Sequence, residues 1–198
     1  MKIPSYIVSQ FGFSYPVMGM RLQPYSLGHH ILMIREGCAL ASDETTGGNE
    51  QDLFLAIAIC SRPYNEFDEW MLSGAYYADC KTWGKAIIKH MNRNPKSFNL
   101  LEKFNLFKVY MKAGSEIPPV WNEKKTNNKP SGTHWTEIVS MTLQKELHKT
   151  EIEVLSMPMN KALRYYFVHM EALGQVTLKT DKEISTPPVM STLVIDAK

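Results

Sequence analysis

The chain predicts an all-α fold: a helical bundle in two parts joined by a polar linker, with an extended N-terminal arm and a C-terminal tail. Two observations carry this expectation. After residue 25, apolar residues return mostly at intervals of three and four, the period of a helix with one buried face. The segments so marked are also punctuated by capping residues, Gly and Pro where helices start and stop. The same pattern divides the chain into an irregular arm over 1–24 and an N-terminal helical part over 25–117. A linker over 118–132, a C-terminal helical part over 133–174 and a tail over 175–198 follow.

The arm is rich in aromatics, Gly and Pro (Tyr6, Phe11, Phe13, Tyr15, Pro16, Pro24) and has no helical period. Ser26 caps a first helix carrying Leu27, His30, Ile31 and Ile34, which Gly37 closes. Thr45 to Asn49 reads as a loop, with Asn49 capping a helix that runs through Asp52–Cys60. That helix is apolar all round and belongs at the centre of the core. Ser61-Arg-Pro63 ends it.

A weaker helix, 65–72, precedes a long one from about Tyr77 to Arg93. Trp83, Ile87 and Met91 make its apolar stripe, and Lys81, Lys85, Lys89 and Arg93 a basic one. Leu100, Phe104, Phe107 and Met111 mark the next helix, ending near Gly114. Pro118-Pro119 opens a polar, lysine-dotted linker that contains Trp121.

The C-terminal part reads as helix, short helix, long helix. Trp135, Ile138, Val139, Leu143 and Leu147 share one side of the first. Thr150 and Glu153 have the spacing of a capping box at the start of the second. The third carries Met159, Ala162, Leu163, Tyr166, Phe167, Met170 and Leu173 on one face. Ser156 is its expected cap, Pro158 lies in its first turn, and Gly174 is its left-handed stop. In the tail, Val176 and Leu178 alternate with polar residues, and Pro187-Pro188 precedes STLVIDAK. It reads either as a partner-binding arm or as a disordered end.

Composition narrows the function classes. Hydrophobic residues at 44% suffice for a core, and a net charge of +2 gives no bulk electrostatic reason to bind nucleic acid. Three widely spaced cysteines, Cys38, Cys60 and Cys80, suit a reducing compartment better than a disulfide framework. The N-terminus has no sustained apolar run, and Leu53 to Cys60 is too short to span a bilayer, so an unexported, soluble protein is expected.

No catalytic motif is visible. His29 and His30 match no common zinc spacing with the cysteines, and the simplest reading puts His29 in solvent and His30 in the core. There is no Gly-x-Ser-x-Gly elbow, phosphate-binding glycine loop or paired-carboxylate signature. The expectation is therefore a non-enzyme with no cofactor and no metal.

Charge is segregated along the chain. Asp43, Glu44, Glu50, Asp52, Glu66, Asp68 and Glu69 face only Arg62 in one segment. Lys81, Lys85, Lys89, Arg93, Lys96, Lys103, Lys108 and Lys112 face only Glu102 in the next. The two segments can meet within the fold or in a neighbouring copy, giving self-association, or form a solvated surface.

Two sets of residues carry a family resemblance. Leu22-Gln-Pro-Tyr-Ser-Leu-Gly-His-His-Ile-Leu32 and Asp52-Leu-Phe-Leu-Ala-Ile-Ala-Ile-Cys-Ser-Arg-Pro-Tyr64 resemble the front half of small proteins encoded among the tail genes of tailed bacteriophages and prophages. Trp135, Leu143, Thr150, Leu155-Ser-Met-Pro-Met159, Ala162-Leu163, Tyr166 and Glu171-Ala-Leu-Gly174 resemble the same group, the tail assembly chaperones. The resemblance implies a non-enzymatic helical protein of the host bacterial cytoplasm. Its implied partners are phage tail proteins: a long helical tape-measure protein, which such chaperones coat, and the tail-tube subunits they recruit.

Partner-contact candidates are Trp121 in the linker, Tyr165 and His169 off the apolar face of the last helix, and the basic row Lys81, Lys85, Lys89 and Arg93. Two alternatives stand beside the chaperone: a structural tail component retained in the virion, and a nucleic-acid-binding regulator using that row. A membrane partner is not expected, and nucleic acid is not the favoured one.

Overall fold

The computed structural model describes residues 15–41, 48–64, 75–93, 99–118, 120–123 and 134–179. The expected weak helix over 65–72 lies outside them, as does the tail from residue 180. The described residues form seven α-helices and two short antiparallel strand pairs, an all-α fold.

The first departure from expectation is in the arm. Tyr15–Val17 (β1) and Met20–Leu22 (β2) pair as a hairpin whose two turn residues, Met18 and Gly19, have φ of 52° and 78°. Positive φ at both positions gives the turn the twist that antiparallel strands need. Val17 and Leu22 are buried in the main core, so this stretch is structural rather than irregular.

Leu27–Arg35 (α1) starts as expected at Ser26, but its N-cap box is completed by His29. Glu50–Cys60 (α2) starts at Asn49, whose side chain accepts the Asp52 N–H while Asp52 accepts the Asn49 N–H. Leu53 and Ala56 to Cys60 are all buried, placing α2 at the centre. Ala75–Arg93 (α3) packs on α2 through Trp83 and Ile87, and Leu100–Gly114 (α4) packs through Phe107 and Tyr110.

Trp135–Leu147 (α5), Glu151–Leu155 (α6) and Met159–Ala172 (α7) match the three helices expected after the linker. The capping box of Thr150 and Glu153 is present. Ser156, however, is the C-cap of α6 and not the cap of α7. The first N–H groups of α7 are met instead by the Tyr25 carbonyl, which accepts from Met159 N at 2.7 Å, and by the Asn160 side chain, which accepts from Lys161 N at 2.8 Å. A tertiary hydrogen bond thus replaces the local one, a substitution invisible to a spacing argument.

The linker is a second correction. Val120–Glu123 within it forms β3, which pairs with Val176–Leu178 (β4) at the start of the tail, with an irregularity between Val120 and Asn122. Val176 and Leu178 of β4 are only half-buried, and each strand needs the other to satisfy its backbone. Their separation in sequence conceals the match.

The two helical parts are halves of one core. Leu53, Ile57, Phe107 and Tyr110 from the first share a buried cluster with Val139, Leu143, Val154 and Leu163 from the second. The segment Gln23 to Leu27 ties them together. Gln23 N donates to the Cys60 carbonyl at 2.7 Å, Tyr110 Oη donates to the Gln23 carbonyl at 2.8 Å, and Ser26 forms a β-bridge with Pro158.

Candidate functional site

The buried face of α1 is not the expected one. His29 is 1% exposed and His30 only half-buried, the reverse of the sequence expectation. The capping box explains it: a side chain at the third helical position must fold back on the N-cap, which turns His29 inward. Its Nδ1 accepts the Ser26 N–H at 3.1 Å, leaving Nε2–H to donate to the Arg62 carbonyl at 2.7 Å. Burial pushes the His29 pKa down to about 4, against a weaker pull from the backbone carbonyls of Arg62 and Pro24.

That inversion leaves the His30 ring beside Trp135 of α5, with centroids 5.4 Å apart, and His30 Nδ1 shares a 2.7 Å hydrogen bond with the Tyr25 hydroxyl. Burial holds the Tyr25 phenol well above its ordinary pKa, so it stays neutral. His30 and Trp135 form one end of a groove of about 410 Å³. Ile138 and Val139 of α5 make one wall, and Met159, Leu163, Tyr166 and Phe167 of α7 make the other. Ser115 and Ile117, just after α4, line the remaining side. Ile117 is 55% exposed, an apolar rim over an apolar floor.

The geometry follows from the long apolar stripe of α7. Met159, Ala162 and Leu163 are buried in the core, whereas Tyr166 and Phe167 one turn later are only half-covered. These two carry the stripe past the core into the groove. An arrangement of this kind can hold apolar side chains of a partner, with His30 and Ser115 as its polar markers.

A second cavity of about 420 Å³ lies between α2 and α3, with Trp83 and Ile87 facing Leu55 and Ile57. Glu36, Asn49, Gln51 and Asp52 give it a polar rim. Asp52 is already engaged by Asn49 N and Ala39 N. No group of three or more metal-ligating side chains occurs among the described residues. Cys38 and Cys60 are buried free thiols, and desolvation raises the Cys38 pKa to about 11 and that of Cys60 further still. Both are therefore protonated and poor nucleophiles.

Tyr165, His169, Lys81, Lys85, Lys89 and Arg93 do not line the groove, though each can be placed. The Trp121 backbone lies in β3, and its side chain is outside the described residues. Tyr165 is 38% exposed on the flank of α7, with the Lys161 ammonium 5.8 Å from its ring centre. His169 Nδ1 on α7 is 3.6 Å from Glu146 Oε2 on α5. Lys81, Lys85, Lys89 and Arg93 are all exposed along α3.

Of the acids set against that row in sequence, Asp43, Glu44, Glu66, Asp68 and Glu69 lie outside the described residues, while Glu50 and Asp52 sit in the first turn of α2. By their spacing, most of the groove residues read as core positions. His30 and Ile117 carry no local signal of a groove, because only the tertiary arrangement brings them to α5 and α7.

No helix among the described residues is long and apolar enough to cross a membrane. No family model, curated protein or solved structure matches the chain.

Proposed function

We propose that this chain is a non-enzymatic assembly chaperone of tailed-phage tail morphogenesis, acting in the host bacterial cytoplasm on the tape-measure protein and the tail-tube subunits. The observation that carries the proposal is the apolar groove between α5 and α7, open beside Ile117. A groove walled by two helices suits an amphipathic helix presenting apolar residues at i, i+3, i+4 and i+7, and a long helical tape-measure protein offers many such faces. Of the residues that resemble those of tail assembly chaperones, His30, Trp135, Met159, Leu163 and Tyr166 line the groove.

The energetics suit a transient complex. Each large apolar side chain moved from water into the groove contributes roughly 1.5–3 kcal/mol. Three or four such anchors supply roughly 5–12 kcal/mol, and an association cost of about 4 kcal/mol or more leaves binding on the order of micromolar at its tightest. A chaperone that must leave as tube subunits arrive needs binding of that reversible kind.

The test is co-expression with the tape-measure and tail-tube proteins of a producing phage, followed by co-purification and proteomics of finished particles. Wild-type chain is expected to co-purify with the tape-measure protein and to be missing from particles. Ile117→Asp, on the exposed rim, should lose the tape-measure protein and keep its fold by circular dichroism. Abundance in particles would instead identify a structural tail component. Failure to bind either tail protein, with nucleic acid co-eluting at low salt, would reject the chaperone reading.

A further inference from the structure

α3 has two unlike faces. Ile87 is buried and Trp83 and Met91 are half-buried, while Lys81, Lys85, Lys89 and Arg93 are exposed. Successive cations in the row are four residues apart, about 6 Å along the axis at 1.5 Å per residue. Like charges at this spacing oppose helix formation, so the row is a cost to the isolated fold. None of the four has an ion-pair partner among the described residues, and the acid nearest to them on the helix, Asp79, is taken by Arg62.

Ile88 lies within this row. It is 55% exposed, three residues beyond Lys85 and next to Lys89, with exposed Asn92 one turn further on. A phosphate backbone would use the cations and leave the isoleucine in water. Trp83 is not available to stack on bases, because it faces α2 across the inner cavity. The combination calls for carboxylates at four-residue spacing around an apolar side chain.

We propose that the outer face of α3 docks an acidic amphipathic helix of a partner protein, with Ile88 against its apolar side chain and Lys81, Lys85, Lys89 and Arg93 against its carboxylates. A helix bearing Glu at i, i+4 and i+8 repeats every ~6 Å, the pitch of the basic row. The cations steer the encounter and Ile88 supplies a desolvated centre. This surface shares no residue with the groove, so its failure and the failure of the chaperone reading are separate results.

The experiment is fluorescence anisotropy of the full chain with a labelled peptide of about five helical turns, built with a Leu face bordered by Glu at four-residue intervals. The controls are the same peptide with Lys for Glu, and a labelled duplex DNA. The acidic peptide should bind, more weakly as salt rises. Lys85→Glu with Lys89→Glu should weaken it by about tenfold or more, and Ile88→Ser by about fivefold. These positions point to solvent, and the double reversal relieves repulsion along α3, so the variants should melt no lower than wild type. The proposal is overturned if the acidic peptide does not bind or the Lys peptide binds equally well. It is overturned too if DNA binds more tightly while Ile88→Ser changes nothing, which would mark the row as a polyanion surface.

Discussion

At the scale of single residues, His29 concentrates the most consequence. One imidazole closes the capping box of α1 through Nδ1 and holds the end of α2 through Nε2. Both bonds require the neutral ring with its proton on Nε2. Protonating Nδ1 removes the acceptor for Ser26 N–H and places a charge in a site 1% exposed. The folded pKa of about 4 lies below the ordinary 6.5, so between these values the unfolded chain binds more protons than the folded one. The contribution is complete above pH 6.5, falls as pH drops through that window, and is lost below pH 4. The gap between these two values corresponds to about 3 kcal/mol. Urea denaturation at pH 4.5, 5.5 and 7 should show wild type losing stability on acidification more steeply than His29→Gln. Parallel curves for the two proteins would remove His29 from this role. The sequence reading places this residue in solvent because face assignment by period alone ignores a capping side chain that folds back.

At the scale of elements, two glycines on neighbouring helices predict opposite outcomes. Gly84 lies inside α3, and a Cβ added there meets no atom of the described residues within 4 Å. Gly84→Ala should therefore stabilise by roughly 0.5–1 kcal/mol, the usual helical preference of Ala over Gly. Gly114 ends α4 against Tyr25, and an added Cβ would stand 2.5 Å from Tyr25 Cβ. That atom is fixed by its own backbone, part of the segment that joins the two halves, so it has little freedom to retreat. Overpacking of this kind costs about 1–3 kcal/mol, enough to outweigh the propensity gain. Thermal melts of the two variants should move in opposite directions from wild type. Gly114 is readable in sequence as a helix end, but the second reason for glycine there, the approach of Tyr25, is not.

At the scale of the whole molecule, the shared core predicts shared unfolding. Leu143 of α5 is 1% exposed and belongs to the cluster that contains Leu53 and Phe107. Leu143→Ala should cost about 2–5 kcal/mol. Hydrogen exchange should show amides of α2 and α5 losing protection together in that variant, since the hydrogen bonds of Gln23 and Tyr25 couple the ends of both helical parts. Loss of protection confined to α5, α6 and α7 would mean that the C-terminal part opens by itself. The groove belongs to this scale as well, because its walls come from α5 and α7 while its rim and polar end come from the first half of the chain.

The sequence alone determined the helices and most of their ends. Ser26, Asn49 and Thr150 each mark a start, Gly37 and Gly174 each adopt positive φ after a helix, and the apolar surroundings of α2 placed it at the centre. These are local effects, settled by side chains within a turn of the backbone they serve. Only the tertiary structure decided that the linker and the tail pair as β3 and β4, that Tyr25 caps α7, and which half of an apolar stripe is core and which is groove. Those outcomes depend on groups far apart in sequence, and periodicity reports that a face is apolar without reporting what covers it.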